Sequence, residues 1–89
     1  MPASEVAIWS RLLQPESGNL SPEAARAILQ IDFTEEDRVR LHDLAAGARA
    51  GALTQAEEAE LETYTRVGRL LDLMRSKARR SLSTSGVAA

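Results

Sequence analysis

One uninterrupted helical pattern, TQAEEAELETYTRVGRLLDLMRSKARRSL, runs from Thr54 to about Leu82 and limits what the chain can fold into. It opens on Thr54 with Glu57 three residues later. That is a capping box, in which each side chain accepts from the other residue's otherwise orphaned backbone N–H. Tyr64, Val67, Leu71, Met74 and Ala78 then recur at alternating steps of three and four, the spacing of one buried helical face. No Pro interrupts the run, and the one internal glycine, Gly68, costs about 1 kcal/mol against Ala. About 26 helical residues span roughly 39 Å, so the rest of a small chain must be arranged along this rod.

The preceding segments are shorter and also begin at caps. Ser4 caps a first helix from Glu5 to about Gln14, closed by Pro15 because the residue before proline disfavours the helical region. Val6, Trp9 and Leu13 share its apolar face, with Leu12 beside them. A loop by composition follows over residues 15–19. Ser21-Pro22-Glu23 starts a second helix to about Gln30, with a cap, a proline at the first position and an acid in the first turn. Its apolar residues are Ala24, Ala25, Ile28 and Leu29, and Ile31 and Phe33 flank a turn at Asp32.

Thr34 and the acids Glu35, Glu36 and Asp37 open a third helix. Leu41, Leu44, Ala45 and Ala48 form its inward stripe, with Val39 to the side. Gly51 after Ala50 reads as a left-handed stop. Only Ala52 and Leu53 separate that stop from Thr54, which predicts an antiparallel helical hairpin. No stretch alternates as a strand does. The expected fold is all-α: two short helices followed by a long antiparallel helical hairpin, one helical domain over 1–82, and a disordered tail over 83–89.

Length sets the functional question. A third helix of about 16 residues reaches roughly 24 Å, so the fourth overshoots it by about ten residues from near Leu70. That overshoot carries Leu70, Leu71, Leu73 and Met74, and apolar patches of such size are uncommon on monomers. The first two helices, a second copy of the chain or another protein could cover it. These four residues are the candidate partner-binding surface, and a homodimer is one expected outcome.

Charge is unevenly placed. The formal net charge is −2, but residues 1–65 hold 12 acids against 5 bases and residues 66–89 hold 6 bases against 1 acid. Arg66, Arg69, Arg75, Lys77, Arg79 and Arg80 are therefore candidate contacts for nucleic acid or an acidic partner. Cations also gather at helix C-termini because the dipole favours them. Aromatics are only 3% of the chain, which argues against a stacking platform for single strands.

Residue types for catalysis are not assembled. His42 is the only histidine and there is no cysteine, so no zinc-ligand spacing exists, and His42 reads as a surface residue on a helix flank. Glu57, Glu58, Glu60 and Glu62 read as a solvated acidic face at a helix N-terminus. The serines and threonines fall at caps, in the tail or on exposed faces, with no recognisable nucleophile–base motif. No glycine-rich phosphate loop is present. The expectation is no enzyme, no metal and no cofactor. No apolar run reaches the ~18 residues that cross a membrane, the N-terminus lacks a secretory pattern, and the absence of cysteine fits a cytoplasmic location.

Several stretches resemble a family of small bacterial helical proteins without an assigned activity, commonly encoded beside HNH-type endonucleases. They are Leu20-Ser-Pro-Glu-Ala-Ala25, Phe33-Thr-Glu-Glu-Asp-Arg38, Gly51-Ala-Leu-Thr54, the run from Glu58 to Tyr64, Arg66-Val-Gly68 and Ser76-Lys-Ala-Arg79. The resemblance covers Leu20 to Leu82 and leaves out the helix that bears Trp9. It implies a nuclease-associated adaptor or inhibitor. The expected role is therefore a non-catalytic protein-interaction module, with a nucleic-acid-binding accessory protein as the alternative.

Overall fold

The computed structural model describes residues 2–84. Helix accounts for 75%, and no strand occurs among the described residues. The four helices are α1 (Glu5–Leu13), α2 (Pro22–Leu29), α3 (Glu35–Arg49) and α4 (Gln55–Thr84). α4 is 30 residues long and ends two residues beyond the expected Leu82. Ser83 and Thr84 are thus helical, and the remainder of the expected tail, residues 85–89, lies outside the described residues.

Each start follows from a local cap. The Ser4 hydroxyl accepts from Ala7 N–H at 3.1 Å, Ser21 from Ala24 N–H at 3.2 Å, and Thr34 from Asp37 N–H at 3.1 Å. At α4 the full box forms: Thr54 Oγ1 accepts from Glu57 N–H at 3.1 Å, and Glu57 Oε1 from Thr54 N–H at 2.9 Å. The stops are also local. Gly51 has φ 67, where a side chain would be strained, and closes α3. Gln14 closes α1 in the same left-handed region at φ 49, directly before Pro15.

The chain groups into two compact units, Met1–Asp32 with Arg69–Ala89, and Phe33–Gly68. α4 contributes its first part to the second unit and its later part to the first. In the Phe33–Gly68 unit the buried side chain is Leu44, at 1% exposure, with Leu41, Ala45, Leu53, Leu61 and Tyr64 half-buried. Ala48, expected on the inward stripe, is exposed. Gly47 takes part instead, because a Cβ there would stand 2.6 Å from Leu53 Cδ2. The Phe33 and Tyr64 rings meet at 5.9 Å between centroids and 59° between planes, a tilted arrangement.

In the other unit Ala25, Ala78 and Leu82 form a buried cluster, with Leu20, Ile28 and Leu29 packed against it. The two alanines present no side chain beyond Cβ, which lets α2 and α4 approach closely. Ser81 is buried at 1% exposure, which corrects the expectation that serines here lie at caps, in the tail or on exposed faces. Its hydroxyl accepts from Leu20 N–H at 3.1 Å and donates to the Lys77 carbonyl at 2.8 Å, so burial leaves it satisfied.

The buried face of α4 differs from expectation at one position. Val67 is 49% exposed. Leu61, Tyr64, Gly68, Leu71, Arg75, Ala78 and Leu82 form one line of half-buried and buried positions at steps of three and four, and Met74, as expected, is half-buried beside it. Val67 is three residues from Tyr64 and four from Leu71, so it stands at the edge of that stripe, about 60° from its mean direction.

Candidate functional site

The later part of α4 carries both groups of candidate residues. Leu70, Leu71, Leu73 and Met74 are all half-buried. Successive residues turn about 100° on a helix, so Leu71 and Leu73 point to nearly opposite sides. Half-burial of all four means that the chain's own cover extends around the helix yet closes over none of them. The same chain leaves Ile8 and Leu12 of α1 exposed, Leu12 at 68%.

The six cations separate into two sets. Lys77 Nζ donates to the Ser17 carbonyl at 3.0 Å and to the Gln14 carbonyl at 3.4 Å, just past the C-terminus of α1. Arg75 Nη2 donates to the Ile31 carbonyl at 2.6 Å, just past α2, and lies 3.5 Å from Asp32 Oδ2. Arg75 Nε is buried with no hydrogen-bond partner among the described residues. Both cations are thus committed to backbone carbonyls of the segments that follow α1 and α2. Arg66, Arg69, Arg79 and Arg80 are exposed, and Arg66 makes a long contact of 3.4 Å to Thr63 Oγ1.

The acidic run at the start of α4 is not uniform. Glu58 and Glu62 are exposed, as a solvated face requires. Glu57 is spent on the cap, and its hydrogen bond from the Thr54 backbone holds its carboxyl below the usual range. Glu60 is gripped by Arg40 in a two-pronged contact, Nε to Oε2 at 2.8 Å and Nη2 to Oε1 at 2.6 Å. That contact lowers the Glu60 pKa and raises that of Arg40.

Asp37 is the acid that spacing alone did not single out. It accepts from Thr34 Oγ1 at 3.0 Å and from the Tyr64 hydroxyl at 2.7 Å, and the second bond raises the Tyr64 pKa. Only the contacts with residues nearby in sequence could have been read from spacing.

His42 is exposed. Among the described residues no three His, Asp or Glu side chains gather into a group that could hold a metal ion. No helix among them is long and apolar enough to cross a membrane. In comparisons with protein-family models, curated proteins and solved structures, nothing matches the chain.

Proposed function

We propose that the chain is a non-catalytic protein-interaction module whose contact surface centres on Leu70, Leu71, Leu73 and Met74. The observation that carries this is the sparseness of the core. Among the described residues, Ala25, Leu44, Ala78 and Leu82 are the buried hydrophobic ones, and only two of these are large. Ile8, Leu12, Ile31, Val39 and Val67 are exposed at 42–68%. A domain of this size has little margin in buried apolar area, and a second surface is the direct way to add to it.

The occupant we propose is a second copy, as a symmetric dimer, or a larger protein effector. The resemblance over residues 20–82 points to a nuclease-type effector in the cytoplasm, with this chain as adaptor or inhibitor. The same proposal takes α3 and the start of α4 as an antiparallel hairpin. Its support is the pairing of Asp37 with Tyr64 and of Arg40 with Glu60, in which later positions on α3 meet earlier positions on α4.

A nucleic-acid-binding role is the alternative, and the exposure of Arg66, Arg69, Arg79 and Arg80 is what favours it. Arg75 and Lys77, already on backbone carbonyls, contribute least to it. Sedimentation equilibrium of the purified chain over a wide concentration range tests the primary proposal. The expected result is a dimer of the 9.7 kDa chain. A monomer at every concentration, unchanged when an HNH-type nuclease is added, would remove it.

A further inference from the structure

We propose that α4 opens locally over residues 65–69, so that one helix carries two separately cooperative units. Three independent observations meet there. First, the division between the compact units falls between Gly68 and Arg69. Second, Gly68 has no packing reason to be glycine. A Cβ built on it meets nothing within 4 Å, whereas at Gly18 and Gly47 a Cβ would collide. An interior glycine with open space around it therefore weakens the helix and gains no contact in return.

Third, the residues just before it are poor helix formers. Thr63, Thr65 and Val67 are β-branched, and all three are exposed, so packing does not compensate their lower propensity. Thr63 Oγ1 donates to the Ala59 carbonyl at 3.1 Å and Thr65 Oγ1 to the Leu61 carbonyl at 3.0 Å. Back-bonding of this kind competes for the carbonyls of the helix ladder and slightly destabilises or bends it.

Strong anchors lie on both sides. Upstream, Glu60 is held by Arg40 and Tyr64 by Asp37. Downstream, Arg75, Lys77 and Ser81 are tied to the backbone at Ile31, Ser17 and Leu20. Residues 65–69 take part in none of these ties, so the ladder can open there while each unit keeps its own contacts. Local openings of this kind divide a native structure into cooperative parts of different stability.

Native-state hydrogen exchange of the full chain, read at each amide by NMR as a protection factor, tests this. Protection is expected to dip over residues 66–72, whose helix bonds span the weak stretch, relative to residues 58–62 and 76–82. Gly68→Ala is expected to raise protection within the dip by about fivefold and leave the flanking amides unchanged. Thr65→Ala is expected to act in the same direction by a smaller factor. Uniform protection along α4 in the wild-type protein overturns the proposal. So does a Gly68→Ala effect spread evenly over the helix, because it means that α4 opens only as a whole.

Discussion

The Ser81 hydroxyl joins Leu20 to the Lys77 carbonyl from a position with 1% exposure. Ser81→Ala keeps the volume nearly constant but strands the Leu20 N–H, so a loss of about 1–3 kcal/mol is expected in the urea midpoint. Little change would mean that water reaches that N–H. At the charged residues the expected dependence is on pH. Glu57 and Glu60 both have folded pKa values below the ordinary 4.5. Their contribution is complete above that value and is lost as pH falls through the lowered folded values. Tyr64 is raised above 10.0, so its contribution is complete below pH 10 and is lost as pH rises through the folded value. A urea midpoint that holds between pH 6 and 9 and falls on both sides, with the alkaline fall reduced in Tyr64→Phe, is the expected profile. Legibility at this scale follows sequence distance. Thr54 and Glu57 can be read as a pair because their partners are three residues apart. Ser81 with Leu20 and Lys77 with Ser17 cannot, because those partners lie about sixty residues away, and residue type alone does not say whether a hydroxyl or ammonium turns to water or to a distant backbone group.

Helices are the scale at which the sequence is most readable here, since caps and stops are decided within a few residues. The four starts at Ser4, Ser21, Thr34 and Thr54 and the stop at Gly51 are all present. Spacing places Val67 on the buried face of α4, and there it is 49% exposed. Hydrophobicity favours burial of valine there, but a period of three and four does not say which edge of the stripe the neighbouring helices cover. Loops are harder still. Gly18 sits in a stretch recognisable only as a loop by composition, yet it touches the end of α4. A Cβ at Gly18 would lie 2.7 Å from Thr84 Oγ1 and 2.8 Å from the Arg80 carbonyl oxygen. The hydroxyl can rotate away, but the carbonyl belongs to a helix and cannot. Gly18→Ala is therefore expected to destabilise by about 1–3 kcal/mol through overpacking. The lower unfolded-state entropy of alanine offsets only about 0.4–1 kcal/mol of that. Thermal unfolding that is unchanged or raised would show that the loop moves off α4 freely.

For the molecule as a whole, the open question is whether the apolar surface on the later part of α4 is closed by this chain or by another. Leu70, Leu71, Leu73 and Met74 are each half-buried, so intrachain cover exists but is incomplete. Leu73 is the most informative of them. It precedes Lys77 by one turn, and the two share a row on the helix surface. Lys77 reaches the carbonyls of Gln14 and Ser17, so the end of α1 approaches one end of that row and leaves part of Leu73 open. At about 25 cal/mol per Å² of apolar surface, covering what remains exposed on these side chains would add on the order of 1 kcal/mol each, which matters in a small domain. Association would recover it, with the exposed Arg69 and Arg79 as a charged rim that sets orientation more than affinity. Leu73→Glu separates the two cases. If the open part of Leu73 meets another chain, the carboxylate turns to solvent in the monomer. The expected outcome is then a chain that keeps its helical circular dichroism and sediments as a monomer, where the wild type sediments as a dimer. If intrachain cover dominates, the buried charge has no partner, and the variant loses its helix signal. That loss, together with a wild-type protein that stays monomeric at high concentration, would sink the association proposal.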